Sequence, residues 1–202
     1  MAEHSTEKRV VISPDPSSLA ESVAARFLHR IAKRAAEGKL VHISLTGGSM
    51  GGAVLAAAGR LPRIAEVDWS LVHFWWSDER FVPLGDADRN DRQSREALLD
   101  ALPLPAGNIH SAAGSDAGGD VDAAAAAYAS ELARYGSAEQ PWPSFDVCFL
   151  GVGPDAHIAS LFPDRPEIQI VDEAVVAVRD SPKPPPERVT MTRPVINSSK
   201  RV

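Results

Sequence analysis

Asp155 and His157 stand at the centre of the stretch Gly151-Val152-Gly153-Pro154-Asp155-Ala156-His157-Ile158-Ala159-Ser160-Leu161-Phe162-Pro163. The apolar run Phe145 to Leu150 leads into it and reads as a buried strand, short and bounded by turn residues. Two glycines and a proline then force a sharp loop, so the acid and the imidazole fall just past the carboxyl end of that strand. In an open parallel sheet this rim is where ligands bind. Histidine is the side chain best suited to exchange a proton near neutral pH, and an aspartate two residues before it orients the ring or shares the proton work. The competing reading makes Asp155 the cap of a short helix and His157 a surface turn residue. For an isolated Asp-x-His that plainer reading prevails; here the rest of the chain tips the balance.

Three further groups could act on the same rim. Thr46-Gly47-Gly48-Ser49 follows a strand-like run and opens an alanine-rich helix; backbone N–H groups at such a terminus, with glycines permitting close approach, form an anion site. No Lys-Ser or Lys-Thr pair follows, so this is not a nucleotide P-loop, and a tight strand–helix turn needing small residues explains it equally well. Asp78, Glu79 and Arg80 end another strand. Arg80 is able to fork two donors onto a phosphate or carboxylate, although such a charged run is usually a solvated loop. Lys183 and Arg188 flank a proline cluster as further anion ligands or as ordinary surface cations.

Other chemistries find little support. Gly151-x-Gly153-x-x-Ala156 has the form of a dinucleotide fingerprint, but Pro163 and Pro166 cut short the crossover helix which that motif needs. His4, His29, His42, His73, His110 and His157 show no HExxH-type pairing. A Gly-x-Ser-x-Gly nucleophile elbow is also missing. No metal and no cofactor are therefore expected.

The elements that must position these residues alternate between strand and helix. Val10–Ile12 reads as a first strand. Ser18 stands three residues before Glu21 at capping-box spacing, and Leu19, Val23, Phe27, Ile31 and Ala35 follow with helical period to a stop at Gly38. Leu40–Leu45 is a strand, followed by a helix to about Gly59. Val72–Trp76 is the next strand, with Trp75 and Trp76 as core residues, and it empties into a polar loop from Ser77 to about Asn90. A helix from about Asp91 to Leu99, a short extended piece at Asn108–His110, a loop at Gly114–Gly119 and a helix over Asp120–Tyr135 precede the Phe145–Leu150 strand. Glu173–Val178 and Val189–Thr192 are later strands, separated by a proline-dense segment, and a new helix begins near the end. This alternation predicts an α/β fold with a mostly parallel sheet.

With 202 residues, 44% hydrophobic and 24% charged, the chain reads as one soluble globular domain. A formal charge of −6 argues against general nucleic-acid binding, while leaving room for a small anion held by local cations. The single cysteine, Cys148, reads as a small buried residue, and the polar start and the lack of a long apolar run point to a cytoplasmic protein that neither spans nor anchors to a membrane.

Together, Thr46-Gly47-Gly48-Ser49, Trp76-Ser77-Asp78-Glu79-Arg80-Phe81-Val82-Pro83, Gly151 to Pro163 and Ser181-Pro182-Lys183-Pro184-Pro185-Pro186-Glu187-Arg188-Val189-Thr190 resemble the 6-phosphogluconolactonase family, in order and over nearly the whole chain. The resemblance implies a Rossmann-like three-layer sandwich, shared with glucosamine-6-phosphate deaminase and ribose-5-phosphate isomerase. It also implies hydrolysis of 6-phosphoglucono-δ-lactone to 6-phosphogluconate in the pentose phosphate pathway, without a metal or organic cofactor. On it, His157 is the base and Asp155 its orienter. The Thr46–Ser49 loop with Asp78, Arg80, Gly153, Lys183 and Arg188 binds the phosphosugar lactone, the only partner expected; the residues leave the oligomeric state open, with a monomer favoured. Backbone N–H groups near Gly151 to Gly153 would face the oxyanion, which is a reading of the residues rather than of the family. The related deaminase carries Met-Asp-Glu-Tyr and Phe-Asn-Glu-Pro where this chain has Ser77-Asp78-Glu79-Arg80 and Ser160-Leu161-Phe162-Pro163. A phosphosugar-binding relative without turnover is the alternative from another class. Two departures bear on it: Ala156 replaces the family's glycine, and the family usually continues past Val202 with another strand and helix.

Overall fold

The computed structural model describes residues 9–202. In chain order the elements are α1 (Pro16–Ala36), β1 (Val41–Leu45), α2 (Gly48–Gly59), β2 (Val72–Trp76), β3 (Asp78–Arg80), α3 (Asn90–Ala97), α4 (Val121–Ala133), β4 (Val147–Cys148), β5 (Val175–Val178), β6 (Arg188–Met191) and α5 (Arg193–Asn197). The strands β2, β1 and β4 form a parallel sheet in that order. Val41 to Leu45 stand opposite Val72 to Trp76, and Ile43 and Ser44 opposite Val147 and Cys148.

Successive residues of a strand point to opposite faces; one face of this sheet is apolar, and the other sets His42, Ser44 and His73 beside Trp75 and Cys148. Val41, Ile43, Leu45, Val72, Phe74 and Trp76 pack with Phe27, Leu28 and Ile31 of α1 and Val54 and Leu55 of α2. On the other face Trp75, Phe145 and Cys148 meet Tyr128 and Leu132 of α4, Val189 and Met191 of β6, and Val195 and Ile196 of α5. Covering a parallel sheet on both sides gives the expected three layers. Among the described residues no helix is long and apolar enough to cross a membrane.

Several boundaries differ from the sequence reading. Val10–Ile12 is not a strand: Val10 is 86% and Ile12 90% exposed. With no sheet edge beside it, so short an apolar run gains nothing from an extended conformation. The cap of α1 is Asp15, which accepts the Ser18 N–H at 2.8 Å, rather than Ser18. Pro16, whose fixed φ suits a first turn, starts the helix earlier. Gly38 does end the segment, with φ +68°. Asn108–His110 contributes a single bridge, Ile109 to Phe74.

The largest difference lies at Asp78–Arg80. These charged residues form a strand, antiparallel to β6, with Asp78, Glu79 and Arg80 opposite Thr190, Val189 and Arg188. Since β6 also pairs with β5, a second, antiparallel sheet covers the face of the parallel one. Three consecutive charges carry no strand periodicity, so nothing local announces this element.

Between the sheet and α4 lie three histidines. His73 Nδ1 and His110 Nε2 are 2.9 Å apart, His110 Nδ1 pairs with Glu131 at 2.9 Å, and His42 Nδ1 accepts the Trp75 indole N–H at 3.2 Å. Trp75 stacks on His110 with ring centroids 3.8 Å apart. His4 lies outside the described residues. Burial pulls both His42 and His110 down to about 4, whereas unfolded histidines titrate near 6.5. The unfolded chain therefore takes up protons that the native rings refuse, so stability present above pH 6.5 is lost as the pH falls toward 4. The buried Glu79 carboxyl, pushed up to about 7, works in the opposite direction over the same window, so the histidines are read by difference: between pH 6.5 and pH 5 the parent should lose about 1 to 2 kcal/mol more stability in urea unfolding than His42→Gln does. Equal losses in parent and variant would mean that the native His42 ring protonates freely.

Candidate active site

The carboxyl ends of β1, β2 and β4 deliver three loops to one rim. After β1, Gly47 sits at the N-cap of α2 without a side-chain cap, and Gly48 takes φ +84°, leaving the first-turn N–H groups of α2 to any arriving anion. The next loop is stitched to it, for Gly151 N–H donates to Thr46 Oγ1 at 3.4 Å. An apolar cavity of about 230 Å³ lies behind this junction, lined by Leu19, Val23, Met50 and Phe149 among others, with no charged group in its wall. The polar chemistry is on the rim in front.

The loop after β4 closes on itself. Gly153 N–H donates to the His157 carbonyl at 2.9 Å, and Ala156 N–H to the Gly153 carbonyl at 2.9 Å. Gly153 is needed for this approach, because a Cβ there would lie 2.1 Å from His157 Cε1 and 2.2 Å from Nδ1. Ala156 takes φ +66°, the left-handed conformation in which a Cβ is strained and glycine is not. The His157 ring stacks on Phe162, centroids 4.7 Å apart.

Asp155 Oδ1 lies 2.6 Å from His157 Nδ1. A carboxylate only accepts, so the ring proton belongs on Nδ1 and the Nε2 lone pair is left to take another proton. Lys183 Nζ completes the cluster, 2.9 Å from Asp155 Oδ1 and 3.1 Å from His157 Nδ1. Lys183 first, and His157 second, hold the Asp155 carboxyl well below the usual carboxylate range.

The remaining residues singled out in the sequence have other surroundings. Asp78 is buried, accepting from Ser160 Oγ at 2.7 Å. Arg188 is buried too, and donates to the carbonyls of Pro185 at 3.2 Å, Lys183 at 3.0 Å and Pro184 at 2.9 Å, with Nη1 3.9 Å from Asp78 Oδ2. Arg80 donates from Nη1 to the Asp88 carbonyl, and its buried Nε has no acceptor among the described residues. Of the N–H groups from Gly151 to Gly153, those of Gly151 and Gly153 have the internal acceptors just described.

Sequence reasoning missed the supports beneath the rim. Glu79 accepts the N–H groups of Arg80 and Asn90 on Oε1 and of Asp91 on Oε2, each at 2.8 Å. Arg89, fully buried, forks onto Asp91 at 2.9 and 3.0 Å. Burial pushes the Glu79 carboxyl up to about 7, against the pull of Arg89. Asn90 donates from Nδ2 to the Asp78 carbonyl at 2.9 Å. The available signal was the polar run Arg89-Asn90-Asp91 at a helix start, which looks the same when solvated.

The chain as a whole has relatives among known proteins. A sequence profile described as glucosamine-6-phosphate isomerases/6-phosphogluconolactonase matches residues 14–202. The chain belongs to this family. Among its relatives, the 6-phosphogluconolactonase of Streptomyces coelicolor is 44% identical over 198 residues, covering 96% of this chain and 76% of the relative. That of Mycobacterium tuberculosis is 43% identical over 195 residues, covering 96% and 78%. The crystal structure of the Thermotoga maritima 6-phosphogluconolactonase superposes with a TM-score of 0.76 at 28% identity, over 89% of this chain and 76% of the other. The fold expected from the sequence is thus the fold of the family.

The strain at Ala156 is directly measurable. Ala156→Gly should stabilise the protein by about 1 kcal/mol, read from urea unfolding midpoints, because glycine adopts φ +66° without the Cβ clash. Destabilisation by Ala156→Gly would show that the loop does not hold this conformation in solution.

Proposed function

We propose that the chain hydrolyses 6-phosphoglucono-δ-lactone to 6-phosphogluconate, the lactone-opening step of the pentose phosphate pathway, with His157 as general base. The observation that carries this reading is the 2.6 Å pair of His157 Nδ1 and Asp155 Oδ1 on the strand-end rim, within a chain 44% identical to a 6-phosphogluconolactonase.

The chemistry runs from those atoms. Asp155 keeps the proton on Nδ1, so Nε2 takes one from a water as that water attacks the lactone carbonyl carbon. The tetrahedral intermediate collapses with cleavage of the bond from that carbon to the ring oxygen, and the ring oxygen receives the proton from Nε2. Water has then been added across the ester, and histidine and aspartate are back in their starting states. No step calls for a metal or an organic cofactor.

The phosphate is held at the first turn of α2, by the N–H groups after Gly47 and the hydroxyls of Thr46 and Ser49. Arg80, whose buried Nε lacks an internal acceptor, supplies the fixed charge, and Lys183 swings from Asp155 to add a second. The buried Asp78 and Arg188 brace these loops. Gly153 acts by making room for the ring.

Coupling the product to 6-phosphogluconate dehydrogenase, with correction for spontaneous opening, measures the reaction. His157→Ala should lower kcat by about 10²-fold or more, and Gly153→Ala should do nearly the same in a protein that still unfolds cooperatively. Arg80→Ala should mainly raise KM. An active parent matched by His157→Ala would remove His157 from the chemistry. A folded parent that binds 6-phosphogluconate without turnover would instead favour a binding-only relative.

A further inference from the structure

We propose that Asn90 is a positioning residue, a buried wedge that sets the phosphate loop at Gly47 against the strand carrying Arg80. The proposal rests on the reading that this loop and Arg80 together hold the phosphate. Asn90 is 1% exposed and stands at the first position of α3. Three contacts fix it from the β3 side. Its backbone N–H donates to Glu79 Oε1 at 2.8 Å, and Nδ2 donates to the Asp78 carbonyl at 2.9 Å and reaches Asp78 Oδ1 at 3.5 Å.

The other end of the amide does something different. Asn90 Oδ1 is buried and has no donor among the described residues, an arrangement that proteins ordinarily avoid. It is pressed against the backbone of Gly47: a Cβ at that position would lie 1.9 Å from Oδ1 and 2.4 Å from Cγ. The amide plane therefore cannot rotate without losing Asp78, and the loop cannot approach β3 more closely without striking the amide.

The consequence is geometric. A phosphate presents its oxygens at fixed spacing, so the N–H groups after Gly47 and the Arg80 guanidinium must be held at a matching separation. The loop after β1 and the strand β3 are not neighbours in either sheet; the last main-chain tie between them is Ser77 N–H to the Leu45 carbonyl at 2.9 Å, and beyond it no ladder hydrogen bond among the described residues sets the separation of Gly47 from Arg80. Asn90, braced on β3 and abutting Gly47, does. It needs no contact with the substrate.

A mutant cycle tests this with the intact enzyme and the lactone as substrate. Asn90→Ala and Gly47→Ala should each raise KM about tenfold or more while kcat changes less than about threefold. The double variant should be no worse than either single one, because the new methyl at position 47 occupies space that the amide has vacated. Asn90→Asp, equal in size but without the Nδ2 donor, should also raise KM. Competitive inhibition by 6-phosphogluconate should weaken in step. A KM within twofold of the parent in Asn90→Ala, or effects that multiply in the double variant, would overturn the proposal. Where Asn90→Ala does not fold, Asn90→Ser takes its place under the same criteria. Arg80→Ala separates the two levels. If it raises KM while Asn90→Ala does not, the wedge is wrong and the phosphate site stands; if neither raises KM, the phosphate site itself is wrong.

Discussion

A single buried carboxylate, that of Asp78, organises the rim. Removing a charge from water is expensive unless partners replace the solvent, and the partners found here come from separate parts of the chain. Ser160 Oγ, from the loop after His157, donates at 2.7 Å. Asn90, at the start of α3, reaches both the carboxylate and the carbonyl of Asp78. Arg188, at the start of β6, brings its guanidinium within 3.9 Å. Each loop contributes one group to a charge that cannot be left alone, so the arrangement is cooperative: withdrawing any one leaves the others facing an undercompensated anion.

A second buried cluster lies behind the first. Glu79 gathers three backbone N–H groups, and Arg89 forks onto Asp91, so the turn from β3 into α3 is held by charge-assisted bonds rather than by apolar packing. Such bonds are directional and strong in a dry surrounding. They suit a place where backbone geometry matters more than burial. The chain thus fixes its chemistry on rigid strand ends and lets polar networks decide how those ends face one another.

Much of this was legible from residue types alone. The runs Leu40–Leu45 and Val72–Trp76 declared buried strands, and every residue from Val41 to Leu45 and from Val72 to Trp76 is indeed buried, with Leu40 left exposed at the edge. Gly47 and Gly48 marked a turn into a helix, and Asp155 with His157 marked a strand-end pair. What could not be read depends on partners distant in the chain. Asp78–Arg80 is a strand because β6 lies beside it, which three charged residues cannot announce. Lys183 and Arg188 looked equivalent on either side of the proline cluster, yet one reaches Asp155 and the other is buried against carbonyls and Asp78. Val10–Ile12 shows the reverse error, an apolar run with nothing to pair against.

The pairing of Lys183 with Asp155 means that the unliganded rim carries its own stand-in anion. A lysine already satisfied by a carboxylate at 2.9 Å gains little by exchanging it for chloride or another weak monoanion, since one ion pair is merely traded for another. On the proposed reading, a phosphate dianion that also met the α2 terminus and Arg80 would readily replace the carboxylate, because a pair this exposed is held only weakly. The internal pair thus parks the lysine beside the histidine and leaves it free to turn toward a ligand that brings two charges at once.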